Sequence, residues 1–215
     1  MEKILIFGGS SKLGIQIIKH FLCKKKFFII STYNKNNKSY LFKNNKNIKF
    51  FFLNFLRKRQ SIKTVKKIFL QYRPNILIFN AAFLPKKKIF INITDKELIN
   101  VFYINFFSYF FIMQYILKNF RKDITVISML SAVLKTGGRM LSSYTASKAA
   151  LWLLSKSITN EYKMIKFINL IFPSFYLKKS NVLKKSVYIK KILNKIERII
   201  KSRRKLISAS NFIIK

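Results

Sequence analysis

The sequence predicts a doubly wound α/β fold, in which helices cover both faces of a parallel sheet. Short apolar runs alternate with longer stretches of helical periodicity along the chain. The apolar runs contain few polar residues, as expected of strands that are buried on both faces. The chain has 215 residues, and half of them are hydrophobic. We therefore expect a single domain over residues 1–215 with a substantial core.

The order of the predicted elements sets the positions of the loops that can carry a site. Strands are predicted at residues 4–7, 27–31, 49–53, 76–79, 124–127 and 167–172, and helices at residues 13–23, 61–71, 95–120, 143–162 and 186–204. The third helix follows Thr94-x-x-Glu97, which is typical of a capping box. Residues 34–49 are predicted to be a solvated connection. Ligands of such sheets bind at the carboxyl ends of the strands.

The chain is strongly basic, with 44 Lys and Arg against 6 Asp and Glu and a formal net charge of +38. Such a charge attracts nucleic acid, anionic lipid and acidic proteins. Lysine, asparagine, isoleucine and phenylalanine are nevertheless enriched together along the whole length, as in NKNNKSYLFKNNKNIKFFF. We interpret the charge as a coding bias rather than a selected surface, and we predict no specific nucleic-acid partner.

Other features of the sequence favour a cytoplasmic protein. Cys23 is the only cysteine, so an intrachain disulfide is excluded and a reducing compartment fits. The N-terminal MEKILIFGGSS has too short an apolar run for a signal peptide. Residues 101–117 approach the length of a membrane span, but Asn105, Ser108 and Gln114 interrupt them. We expect a buried helix there and no transmembrane segment.

Two motifs indicate a site. ILIFGGSSKLGIQII has a turn framed by Gly8 and Gly14 between the first strand and the first helix, where backbone amides can bind a phosphate. Tyr144 and Lys148 lie one helical turn apart on a predicted helix. Their spacing alone is uninformative, because Tyr162 and Lys166 share it. Ser131, at the end of the preceding predicted strand, distinguishes the first pair.

The motifs of residues 3–175 resemble those of the short-chain dehydrogenase/reductase family, both in their residues and in their order along the chain. The glycine turn of the family resembles Gly8 to Gly14, its Asn-Ala-Gly resembles Asn80-Ala81-Ala82, and its Tyr-x-x-x-Lys resembles Tyr144 to Lys148. The helix asparagine, the serine and the Pro-Gly of the family correspond to Asn105, Ser131 and Pro173-Ser174. The resemblance implies a single Rossmann-type doubly wound sheet.

The resemblance also implies the roles of the catalytic residues. Tyr144 would be the general acid, and Ser131 would hydrogen-bond the substrate carbonyl. Lys148 would lower the pKa of Tyr144 and hold the nicotinamide ribose, and Asn105 would bend its helix and hold a water that relays protons to Lys148. The implied cofactor-binding residues are Gly8, Ser10, Ser11, Lys12, Leu13, Gly14, Thr32, Asn54, Asn80, Ala81, Ala82, Tyr144, Lys148, Pro173 and Tyr176. No metal site is predicted.

The chain departs from the family pattern at three places. Lys12 occupies the position of the middle glycine of the turn, where its ammonium can approach a phosphate. Lys178 replaces a threonine that contacts the nicotinamide amide in many relatives. The sequence ends at SNFIIK, where family members complete a last strand, so we predict a sheet truncated at the C-terminus.

The resemblance leads to a functional hypothesis. No acid follows the second strand, whereas Thr32, Asn34 and Lys35 can receive a 2′-phosphate, so we predict NADP rather than NAD. We expect a cytoplasmic, homodimeric or homotetrameric reductase that transfers a hydride to a carbonyl, with a 3-oxoacyl thioester on acyl carrier protein in fatty-acid synthesis as the substrate. The alternatives are a reductase of sugar or surface-polysaccharide metabolism, and a degenerate family member that binds nucleic acid or anionic membrane through its basic surface.

Overall fold

The computed structural model describes residues 1–120, 122–172, 182–203 and 210–213, and it is organised around one parallel sheet. Seven strands pair in the order β3-β2-β1-β4-β5-β6-β7, and all six pairings are parallel. The strands are β1 (Glu2–Phe7), β2 (Phe27–Tyr33), β3 (Ile48–Phe52), β4 (Ile76–Phe79), β5 (Ile124–Ser131), β6 (Ile165–Phe172) and β7 (Ser210–Ile213). The predicted fold class is confirmed.

Helices cover the sheet on both faces. They are α1 (Lys12–Leu22), α2 (Lys58–Tyr72), α3 (Asp95–Phe102), α4 (Ser108–Asn119), α5 (Val133–Thr136), α6 (Ser142–Glu161) and α7 (Val182–Ser202). One core contains buried side chains of α2, α4 and α6, and the other contains those of α1 and α7. Within β1, Ile4 and Ile6 belong to the second core, whereas Leu5 and Phe7 belong to the first. This alternation explains why the strand is apolar at successive positions.

The predicted truncation of the sheet is wrong. Residues Ser210–Ile213, within SNFIIK, form β7 and pair in parallel with β6. The strand has only four residues, and the exposed Asn211 interrupts its apolar pattern, so periodicity alone does not reveal it.

The predicted helix at residues 95–120 is divided by a π-helical turn, Tyr103–Phe107, between α3 and α4. Its predicted cap is present, because the Thr94 hydroxyl accepts a hydrogen bond from the Glu97 amide. The whole segment Asp95–Asn119 is long and apolar enough to meet the criteria for a membrane span. In this fold it lies against the sheet, and Val101, Tyr109 and Ile112 are fully buried. A core helix can meet the same criteria, so this segment, with 39% of its apolar window buried, is weak evidence for a membrane span.

Candidate active site

The turn between β1 and α1 allows very close packing of backbone. Gly8 has φ +78°, a left-handed conformation that favours glycine, and a Cβ there would lie 2.7 Å from the Cβ of Ala81. A Cβ on Gly14 would lie 2.5 Å from the Gly8 carbonyl oxygen and 2.6 Å from the Gly9 Cα. The glycines therefore bring the start of α1 against the end of β1, and the end of β1 against the loop after β4.

Short polar side chains fix this turn. The Ser11 hydroxyl caps α1 by accepting from the Gly14 amide at 3.0 Å. Asn80 donates to the Gly8 carbonyl at 2.8 Å and to the Ser11 hydroxyl at 3.0 Å. The Thr32 hydroxyl accepts from the Gly8 amide at 3.1 Å. The turn is consequently preorganised by residues at the ends of β2 and β4.

A cavity of about 560 Å³ opens beside the turn, at the carboxyl ends of β1 to β4. Eight predicted cofactor ligands are among its lining residues: Gly8, Ser10, Ser11, Thr32, Asn54, Asn80, Ala81 and Ala82. Tyr33 and Asn36 line it too, although the motifs did not identify them. Lys12, Leu13 and Gly14 belong to α1, and Lys12 is exposed at the first helical position.

Thr32, which is predicted to receive a phosphate, lines the cavity and also holds the glycine turn. Thr32 is buried, and its hydroxyl oxygen accepts the Gly8 amide, so it positions the turn. Asn34 and Lys35 are exposed and line the cavity. Of the three residues predicted to receive a 2′-phosphate, Asn34 and Lys35 are the ones whose side chains are already exposed to a ligand in the cavity.

Tyr144 and Lys148 are buried on α6, and Ser131 is buried at the end of β5. The Ser131 hydroxyl hydrogen-bonds the Tyr144 phenol. The Lys148 ammonium lies 5.8 Å from the centre of the Tyr144 ring and donates to the Met129 carbonyl at 3.1 Å. The fold thus brings together the three side chains that the motifs identified.

Burial shifts the pKa of both Tyr144 and Lys148. Burial raises the pKa of Tyr144 to about 12, and the hydrogen bond from Ser131 opposes that shift only in part. Burial also lowers the pKa of Lys148 to about 8. Desolvation is therefore the largest influence on the pKa of each side chain, and the lowering of the Tyr144 pKa by Lys148 stays a prediction.

Asn105 connects the two halves of the site. It lies in the π-helical turn, as the predicted bend requires. Its side-chain oxygen accepts from the Phe83 amide at 2.7 Å, and its nitrogen donates to the Phe83 carbonyl at 2.9 Å and to the Ser147 hydroxyl at 3.1 Å. Ser147 in turn donates to the Tyr144 carbonyl at 2.8 Å. The Asn105 side chain therefore joins the loop after β4 to the helix of Tyr144.

The remaining residues that the sequence singled out are not part of this cluster in the described structure. Tyr162 follows α6, whereas Lys166 lies in β6 and donates to the Arg203 carbonyl, so this second pair has no common helix face. Pro173, Tyr176 and Lys178 lie outside the described residues. Phe83 and Ser147 were missed: Phe83 participates through its backbone, which no side-chain motif records, and a serine beside Lys148 has no distinctive spacing.

Comparisons with known proteins agree with this arrangement. A glucose and ribitol dehydrogenase of Daucus carota is 32% identical over 85 residues, which are 40% of this chain and 29% of that relative. The chain thus spans less than a third of the length of this curated relative.

Solved structures match along nearly the whole chain, at identities that show the fold alone. A protein described as a 3-oxoacyl-reductase from Bacillus thuringiensis has a TM-score of 0.84 at 16% identity, covering 100% of this chain and 96% of the other. A mutant 4-hydroxyisoleucine dehydrogenase complexed with NADH and succinate has a TM-score of 0.86 at 22% identity, covering 99% and 96%. ElxO with NADPH bound has a TM-score of 0.84 at 18% identity, also covering 99% and 96%.

The family comparison covers most of the fold. The model described as short chain dehydrogenase matches residues 2–180, which include the glycine turn, Asn105, Ser131 and the pair Tyr144 and Lys148. On this match, the chain belongs to the short chain dehydrogenase family.

Proposed function

We propose that this protein is an NADP-dependent reductase that transfers a hydride to a carbonyl group. The observation that supports this proposal is the position of the Tyr144 cluster and the glycine-turn cavity at one edge of the sheet, joined through Asn105. Each part alone has a structural explanation. Their connection provides a proton donor beside a nucleotide-sized cavity.

The residues of the turn fit a dinucleotide. Gly8 and Gly14 leave room where a Cβ would collide with backbone, and the amide end of α1 attracts phosphate. Ser10 and Ser11 would face the pyrophosphate, and Asn54 and Tyr33 line the part of the cavity that would hold the adenosine. Lys148 would hold the nicotinamide ribose.

The cluster of Tyr144 is suited to proton donation. A bound nicotinamide cofactor would supply the hydride. Tyr144 would give its phenolic proton to the carbonyl oxygen, and Ser131 would hold that oxygen by a hydrogen bond. Burial raises the pKa of Tyr144 to about 12, so the phenol holds its proton at neutral pH and is in the form that can donate it. Lys148, by holding the ribose close to Tyr144, would orient the reacting groups.

Lys35 and Asn34 support NADP as the cofactor. Both are exposed at the cavity beyond β2, and residues 31–42 contain no acid that would repel a 2′-phosphate. Relatives are described with either NADH or NADPH, so the choice depends on these side chains. Titration of NADPH and NADH against the protein and against Lys35→Glu would test it, with the preference expected to reverse in the variant.

A 3-oxoacyl thioester on acyl carrier protein is the proposed substrate. It is supported by the relative described as a 3-oxoacyl-reductase and by the charge of +38, which would attract an acidic carrier. A sugar reductase is the second candidate, favoured by the carrot relative named for glucose and ribitol. The third is a non-enzymatic family member that binds anionic partners.

We also propose a cytoplasmic homodimer or homotetramer. Exposed apolar residues lie along α3, the π-helical turn and α4, and Leu153 extends them onto α6. Ile99, Phe107 and Phe110 are among them. Burial of such a face between two copies would stabilise an oligomer. The single cysteine of the chain, Cys23, fits a reducing compartment and supports the cytoplasmic assignment.

The decisive experiment is oxidation of NADPH by acetoacetyl thioesters of coenzyme A and of acyl carrier protein. Tyr144→Phe is expected to lower kcat by roughly 10²- to 10⁴-fold without weakening NADPH binding. Tyr162→Phe, the matched control outside the site, is expected to retain wild-type activity. Equal activity of Tyr144→Phe and wild type would contradict the catalytic assignment.

Other outcomes would select the alternatives. Turnover of sugar ketones without turnover of thioesters would favour the second candidate. Absence of NADPH binding, together with salt-sensitive RNA binding, would favour the third.

A further inference from the structure

Ile89, Phe90 and Ile91, which we call the apolar turn, are the most exposed group of large hydrophobic side chains in the loop between β4 and α3. Their exposed fractions are 49%, 76% and 84%. They include the start of a short 3-10 helix, Phe90–Asn92. Single exposed hydrophobic residues are ordinary, but three consecutive ones indicate a surface that is covered by a partner.

The backbone of the apolar turn is anchored. The Lys88 amide donates to the Met140 carbonyl at 3.1 Å, and the Asn92 amide donates to the Ile89 carbonyl at 3.1 Å. The Lys88 ammonium pairs with the Glu97 carboxylate. The fold thus holds the loop with Phe90 and Ile91 exposed, although exposing them costs free energy in water.

The charges around the apolar turn are mainly basic. Lys86 and Lys87 are exposed immediately before it, and Lys96 is exposed after it. The nearby acids are Asp95 and Glu97, and Glu97 is already paired with Lys88. Contact of this surface with the same surface of a second copy would bring the exposed Lys86, Lys87 and Lys96 of both copies together.

We propose that the apolar turn inserts into the surface of an anionic lipid bilayer while Lys86 and Lys87 contact the headgroups. A bilayer supplies both required environments at one interface, namely hydrocarbon for Phe90 and Ile91 and negative charge for the lysines. An acidic protein would have to offer an apolar pocket for the protruding turn as well as negative charge for the lysines. The surface therefore fits peripheral membrane binding in addition to the activity proposed above.

Docking in this way has a consequence for access to the site. Lys88, directly before the apolar turn, donates its amide to the carbonyl of Met140, four residues before Tyr144 in sequence. The turn follows β4 at the same edge of the sheet as the cavity. Bound protein would therefore hold this edge near the lipid, where amphipathic carbonyl compounds accumulate. This consequence rests on the proposed function, whereas the docking does not.

The test is cosedimentation of the protein with vesicles of phosphatidylcholine, with and without phosphatidylglycerol, over a series of salt concentrations. Phe90→Ser/Ile91→Ser is expected to lower partitioning onto anionic vesicles by roughly tenfold or more, because two apolar side chains lose their hydrocarbon contacts. Leu70→Ser, an exposed leucine of α2, controls for loss of surface hydrophobicity. Lys63→Gln/Lys66→Gln controls for loss of charge on the same helix. Circular dichroism and sedimentation velocity of each variant check its fold and oligomeric state.

Retention of binding by both controls, with loss in the apolar-turn variant, would support the proposal. Equal loss in the lysine control would show binding by general charge and would overturn it. Unchanged binding of the apolar-turn variant, or binding without phosphatidylglycerol, would also overturn it. Dissociation of an oligomer in that variant would show that a second copy covers the turn. Because no substrate is used, failure of the proposed reductase activity would leave these results unaffected.

Discussion

The glycine turn and the Tyr144 cluster depart from the family pattern in opposite ways. The turn has a substituted position, Lys12, yet its packing is intact, with Gly8 and Gly14 in close backbone contact. The cluster matches the pattern at every described residue, yet the pKa of Tyr144 is raised rather than lowered. Steric requirements act locally and are visible in a motif. Electrostatic ones depend on how the whole fold removes water.

Gly14→Ala should produce the largest effect in the turn. The new Cβ would lie within 2.7 Å of three backbone atoms of Gly8 and Gly9, which cannot move without displacing α1 from the sheet. We expect a loss of about 3 kcal/mol in the free energy of unfolding and no measurable NADPH binding. Urea unfolding and a fluorescence titration with NADPH would measure the two effects.

Gly137→Ala is the matched control for that prediction. Gly137 has a positive φ, +61°, which Gly14 does not, and no atom lies within 4 Å of an added Cβ at Gly137. It should cost only the strain of its backbone conformation, about 1 kcal/mol. Similar losses in the two variants would contradict the expected cost of close backbone packing at Gly14.

Lys148→Met should abolish activity while stabilising the protein. Burial lowers the pKa of Lys148 from its ordinary value of 10.5 to about 8, so the native state disfavours the ammonium by about 3 kcal/mol. Loss of the hydrogen bond to the Met129 carbonyl reduces the benefit. We expect unfolding free energies that are higher by about 1 to 3 kcal/mol near neutral pH.

The difference in unfolding free energy between Lys148→Met and the wild type should depend on pH. Below about pH 8 both states of the wild type hold the proton, and the native state bears the full cost. Between pH 8 and 10.5 the native lysine is neutral while the unfolded one is still charged, so wild-type stability rises with pH and the advantage of the variant shrinks. Lys66→Met, at an exposed position, should show neither effect. A stability advantage of Lys148→Met that grows as the pH rises would contradict the lowered pKa of Lys148.

The sequence predicts the cores and the motif geometry better than the polar contacts. Successive apolar residues in β1 identify a strand buried on both faces, because each face has its own core. The four residues of β7 are too few for such a pattern. The residue type of Thr32 permits phosphate binding, but its burial and its hydrogen bond to the Gly8 amide depend on the neighbouring turn and are not visible in the sequence. Asn105 is identified, but its partner is the backbone of Phe83, which leaves no trace in the sequence.

Lys12→Gln should have the smallest effect and would sharpen the comparison at the turn. Lys12 is exposed at the first position of α1, where a cation opposes the helix dipole by about 0.3 to 1 kcal/mol, so the variant should be slightly more stable. If the ammonium approaches the cofactor phosphates, NADPH affinity should fall about threefold, with a smaller salt dependence. Lys19→Gln, at the other end of α1, should leave affinity unchanged and lower stability slightly, because it removes a favourable charge. An unchanged affinity in Lys12→Gln would mean that the backbone amides of the turn hold the phosphates without help from the substituted lysine.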